Sequence, residues 1–202
     1  MNQILAKVRT HLCTYFAQAG SDTEPDAASV TFLGAEPIEV LRFHPGTGRV
    51  VHYVSLGCSR HPMIDPVEIP ADPLRGPRAE VVLALRDPGP VTGLARSVAV
   101  LAATPAVDGV VLTANALIDL GTPLWSHPTR PAPFTTVLLG RSDIPDLPLQ
   151  PPRDPVRFLS ATPITATEAA WVRLKGADAM RQAWHVDGVD VLDPNRPATQ
   201  PN

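Results

Sequence analysis

Apolar residues return at helical spacing over residues 2–19, where Leu5, Val8, Leu12 and Phe16 make one stripe, so the sequence opens on an amphipathic helix. Ser21–Ala28 is polar, contains Pro25 and reads as loop. The pattern then changes to period two. Ile38–His44 and Arg49–Leu56 are predicted strands, and Pro45-Gly46-Thr47-Gly48 between them has hairpin chemistry. Val50, His52, Val54 and Leu56 share one face of the second strand. Residues 57–78 carry prolines at 62, 66, 70, 73 and 77, which rules out a helix or central strand there. Ala79–Arg86 is continuously apolar enough for a strand at the centre of a sheet.

The second half alternates in the same way. Thr92 is placed to cap a helix reaching about Thr104, with Leu94, Val98 and Leu101 inward and Pro105 just past its end. Val110–Leu112 is a short apolar run. Thr135–Gly140 and Val156–Ala161 are strands joined by a proline-rich crossing over 141–155. Thr165-Ala-Thr-Glu168 has the form of a capping box and starts a helix, which Gly176 interrupts. Ala177, Met180 and Trp184 continue the stripe in a second terminal helix. Asp193–Asn202 has three prolines and no bulky apolar group, and is expected to be a disordered tail. Strands, one middle helix, further strands and two terminal helices are not a repeating βαβ series. The expected fold is one α+β domain over residues 1–192, with a mixed or largely antiparallel sheet and packed helices.

Composition narrows the function classes. The 202 residues are 44% hydrophobic and 18% charged, in the globular range. A net charge of −3 gives no footprint for nucleic acid. There is no run of 18 apolar residues, so no membrane partner is expected. The amino-terminal segment lacks a signal-peptide core, and two cysteines, Cys13 and Cys58, are too few for a disulfide scaffold. A cytoplasmic location with reduced thiols follows as the expectation.

Candidate chemistry is sparse. Cys58-Ser-Arg-His61 has the spacing of half a zinc site, but a second Cys/His pair is missing, and no metal is expected. Ser59 in Gly57-Cys-Ser-Arg-His61 lacks the second glycine of a nucleophile elbow. No phosphate loop or dinucleotide fingerprint occurs, so no cofactor is expected. A tight turn leaving a strand explains residues 57–61 without catalysis. Trp125, in the proline-rich loop Gly121–Pro128, is either a binding anchor or a lid on the core. Trp171 and Trp184, on helices, belong to the core.

Three segments in order carry a resemblance. His52-Tyr-Val-Ser-Leu-Gly-Cys-Ser59 is a strand ending in a Gly-x-Ser turn. Ala79-Glu-Val-Val-Leu-Ala-Leu-Arg86 is a Glu-bearing apolar strand, and Phe158-Leu-Ser-Ala-Thr-Pro-Ile-Thr-Ala-Thr-Glu168 leads into paired helices. Together they resemble the suppressor-of-fused family in its compact bacterial form, over residues 30 to 187 or so. The animal regulator has an additional carboxy-terminal domain. The resemblance implies an α+β domain without catalysis that binds another protein. The animal protein grips a short peptide of Hedgehog-pathway transcription factors, and bacterial members have been proposed as immunity proteins that neutralise toxins. It transfers no individual residue. From the residues themselves, Trp125 in Thr122–Phe134 and Arg60 in Cys58–Arg78 are the candidate partner-binding side chains. The competing readings are a hydrolase using Cys58, Ser59 and His61, and a scaffolding subunit of a larger assembly.

Overall fold

A computed structural model describes residues 3–21, 24–32, 34, 36–44, 49–64 and 72–199. The opening stripe becomes α1 (Gln3–Gln18), whose buried residues are Leu5, Val8, Leu12 and Phe16. Two strands of the expected antiparallel pair follow as β2 (Ile38–Phe43) and β3 (Val50–Leu56). The hairpin at 45–48 between them lies outside the described residues. Ahead of them is an unexpected strand, β1 (Asp26–Val30), where the sequence reads as loop as far as Ala28. It sits at the sheet edge with almost every side chain exposed, so it has no alternating apolar pattern to betray it.

The remaining strands are β4 (Arg78–Arg86), β5 (Leu117–Asp119), β6 (Phe134–Arg141) and β7 (Val156–Thr165). They form one seven-stranded sheet in the order β1-β2-β3-β4-β7-β6-β5. Only β4 and β7 pair in parallel, with Val81 opposite Leu159, and β4 is central, as its apolar run implies. The sheet is therefore mixed and mostly antiparallel. Val110–Leu112 is not a strand. The β5 ladder forms just after it, at residues 117–119.

Between β4 and β5 runs α2 (Leu94–Asp108). Its cap is Gly93 rather than Thr92, because Thr92 is held in a backbone bridge to Ser126. Pro105 lies inside the helix instead of beyond it. Proline cannot donate to the carbonyl four residues earlier, which is that of Leu101. The Thr104 hydroxyl donates to that carbonyl at 2.8 Å, so the missing bond is replaced and the helix continues. The chain closes on α3 (Ala166–Lys175) and α4 (Ala177–Val186), separated at Gly176 as the sequence indicates.

The helices make a layer on each side of the sheet. Leu83, Leu85, Val137 and Leu139 pack with Leu94, Val98 and Leu101 of α2 on one face. On the other, α1 covers Leu41, Val54 and Phe158, and α3 with α4 covers Leu138 and Ile164. The crossing at 141–155 joins this second face through Ile144, and His11 meets the Pro145 carbonyl at 2.8 Å.

The segment after α4 departs from expectation. Composition suggests a disordered tail from Asp193, yet Arg196 is 4% exposed and its guanidinium lies over the Phe134 and Trp184 rings. It meets the Glu168 carboxylate at 2.6 Å and the Pro163 carbonyl at 2.8 Å. The Arg196 guanidinium and the Thr199 amide, not apolar bulk, hold the segment, which is why its hydrophobicity does not reveal it. Residues 200–202 lie outside the described residues.

Candidate functional site

Strand β3 delivers the chain to Gly57, where φ is 153° and a Cβ would come within 2.8 Å of the Ile38 side chain. Both the backbone angle and the close approach require glycine. Cys58–Arg60 then forms one 3₁₀ turn. The turn wraps a buried carboxylate from the next strand. Glu80 accepts from the Gly57 amide at 2.9 Å, the Ser59 amide at 3.0 Å and the Ser59 hydroxyl at 2.6 Å. The Ser55 hydroxyl donates to its other oxygen and accepts from the Val81 amide. Burial raises the Glu80 pKa, while these donors act in the opposite direction. The spacing of Ser55, Gly57 and Ser59 before a Glu-bearing strand was legible as a motif. Its role as a ring of donors around Glu80 was not.

This arrangement disposes the candidate nucleophiles badly for catalysis. Ser59 is fully buried and its hydroxyl is spent on Glu80. Desolvation pushes the Cys58 thiol well up, and the Glu80 charge adds to it, which disfavours a thiolate. His61 turns outward to Glu36 at 2.9 Å. The three side chains share a turn but make no nucleophile–base pair with one another. Among the described residues, no three His, Cys, Asp or Glu side chains group as metal ligands.

Arg60, the second candidate contact, pairs with Glu36 at 3.0 Å and donates to the Pro37 carbonyl. Trp125, which the sequence leaves as either anchor or lid, lies in the core. It is 1% exposed, sits 5.3 Å from the Phe134 ring and donates to His127 at 3.2 Å. The bridge between Thr92 and Ser126 and the Ser97–Leu124 hydrogen bond fold its loop back onto α2. Trp184 belongs to the core as expected, its indole donating to Glu168 at 3.1 Å, while Trp171 is only partly buried.

Beside the Glu80 turn lies a cleft of about 390 Å³ that the sequence did not announce. One wall is α1, with Gln3 and Lys7. The turn supplies Arg60 and His61, the loop into β4 supplies Leu74, the first residue of β4 is Arg78, and the end of the crossing supplies Gln150 and Arg153. Its residues come from four separate stretches of chain, so no local motif could mark it.

A mixed seven-stranded sheet with a helix layer on each face defines an α+β domain. The family model "Suppressor of fused protein (SUFU)" matches residues 34–197, and the chain belongs to that family. Among solved structures, a SUFU homologue from Neisseria gonorrhoeae FA 1090 is similar, with 19% identity, 96% of each chain covered and a TM-score of 0.63. A Sufu–Fu complex is similar at 14% identity, covering 96% of this chain and 91% of that one, with a TM-score of 0.65. Drosophila Suppressor of Fused matches at 14% identity and a TM-score of 0.66, over 95% of this chain and 50% of its own. No curated protein matches in sequence. The match to residue 197 takes in Arg196, which places the docked segment within the family's extent.

Proposed function

We propose that this chain is a non-enzymatic protein-binding domain, acting in the cytoplasm, and that its physiological task is to neutralise a toxin as an immunity protein. The observation that carries the binding reading is membership of the SUFU family over residues 34–197, together with the likeness to a fold solved in a Sufu–Fu complex. The geometry adds support. The turn carrying Cys58, Ser59 and His61 is closed around Glu80, with Ser59 buried and His61 turned away. Among the described residues no helix is long and apolar enough to cross a membrane. The toxin reading leans on the likeness to a bacterial homologue, matched over 96% of both chains.

The test is affinity purification from native cells, followed by reconstitution of the complex from purified components. A stoichiometric complex with a toxin encoded beside this chain, and loss of toxicity on binding, is the expected result. A stable complex with a non-toxic protein would keep the binding reading and remove immunity. Catalytic turnover abolished by Cys58→Ala or His61→Ala, with no protein bound, would replace it by the hydrolase.

A further inference from the structure

The chain carries 20 acidic residues against 17 Lys and Arg, yet among the described residues the cleft beside the Glu80 turn is lined by Lys7, Arg60, His61, Arg78 and Arg153 and by no carboxylate. Charge of one sign gathered in a concave wall focuses the field into it. Some of that charge is already answered: Glu36 pairs with both Arg60 and His61. Nearby carboxylates are occupied in part by the backbone, Asp72 by the Leu74 and Arg75 amides and Asp154 by the Gly76 amide. Asp72 also stands 3.8 Å from Arg75. Lys7, Arg78 and Arg153 make no ion pair among the described residues.

Arg78 is the unusual member. It is 2% exposed, and its two terminal nitrogens donate only to the carbonyls of Ser59, Arg60 and Leu74. Its Nε has no hydrogen-bond partner. A buried guanidinium ordinarily has a carboxylate, and leaving one without it is costly. Burial lowers its pKa, the Arg153 charge acts in the same direction, and Asp154 opposes them. Arg78 and Arg153 set two like charges on one cleft, an arrangement that a bound anion relieves. The rim also has an apolar component. Leu74 is 40% exposed, and Ile4 and Leu149 line the same wall.

We propose that the cleft between the start of α1, the Glu80 turn and the end of the 141–155 crossing binds an acidic, leucine-bearing segment of a partner protein, with Lys7 and Arg153 contacting its carboxylates over the fixed charge of Arg78. The proposal rests on the reading of this chain as a protein-binding domain and names the chemistry of what is bound. Arginine matches carboxylate geometry in two-point contacts, and an apolar rim distinguishes a peptide from a bare anion.

Fluorescence anisotropy on the full chain tests it, using a labelled peptide alternating glutamate and leucine and a counterpart with glutamine in place of glutamate. The glutamate peptide is expected to bind, to weaken as salt is raised, and to lose about tenfold in affinity for each of Lys7→Glu and Arg153→Glu. Both positions are accessible, and an unchanged melting temperature certifies the fold. Gln150→Glu, on an exposed side chain of the same wall, serves as a milder third variant and should weaken binding in the same direction. Equal binding of both peptides, or binding indifferent to all three variants, overturns the proposal. Full displacement by millimolar inorganic phosphate overturns it too, by making the cleft a small-anion site. If a partner recovered from native cells still binds the Lys7→Glu/Arg153→Glu variant, the cleft assignment fails and the binding-domain reading stands. If the wild-type chain binds the peptide but no protein, the broader reading fails instead.

Discussion

Glu168 shows how much one side chain can organise. It is fully buried at the start of α3, where its carboxylate accepts from the Thr165 amide while the Thr165 hydroxyl accepts from the Glu168 amide. That capping box was visible in Thr165-Ala-Thr-Glu168. Invisible was the second use of the same carboxylate, by Arg196, Trp184 and the Thr199 amide. Arg196 stands 28 residues further on in a stretch without apolar bulk, and pairing over that range leaves no periodic trace. Arg196→Ala is expected to cost about 3 kcal/mol in urea unfolding, since it strands a buried carboxylate. Burial pushes the Glu168 pKa up, but Arg196 and the Thr165 amide outweigh it and leave it lowered. A carboxylate lowered on folding contributes stability that is complete above its unfolded value and lost as pH falls through its folded one. The wild-type chain should therefore lose this contribution below about pH 4.3, the ordinary glutamate value, and Arg196→Ala should show a shallower acid limb. Trp125 belongs to the same scale. With its indole in the core, Trp125→Ala should cost roughly 3–5 kcal/mol of stability and leave partner affinity unchanged in the folded fraction.

At the scale of elements, the readings that succeeded rest on periodicity and those that failed rest on context. The stripe of α1, the strands from Ile38, Arg49 and Ala79, and the Gly176 break all appear within a residue or two of their expected bounds. Edge strand β1 is exposed and pairs on one side only, so its sequence is free to be polar. Proline at 105 was expected to end α2, because a missing amide ordinarily leaves a carbonyl unanswered. The Thr104 hydroxyl answers it, and the helix runs on to Asp108. Thr104→Val keeps the shape and removes that donor. It should cost about 1 kcal/mol by thermal unfolding, the usual worth of one hydrogen bond. A loss indistinguishable from zero would mean that the carbonyl is satisfied without it.

For the molecule as a whole, the order of elements was enough to give the α+β class, and the apolar run of Ala79–Arg86 to give the central place of β4. The sites were less accessible. The Gly57-Cys-Ser-Arg-His61 turn looked chemical because its residue types are chemical. Only the fold shows Ser59 inside against Glu80 and His61 outside against Glu36. Conversely, the cleft lined by Lys7, Arg78 and Arg153 assembles from distant stretches and had no local signal. The central claim is that this SUFU-family chain works by holding another protein. It is tested most directly by isothermal titration of the purified chain with the protein it captures in native cells. The expected result is a saturable complex of defined stoichiometry, with a Kd of about 1 µM or tighter, or −8 kcal/mol. No heat of binding to any captured protein, alongside sustained turnover of a small substrate that Cys58→Ala abolishes, would contradict it.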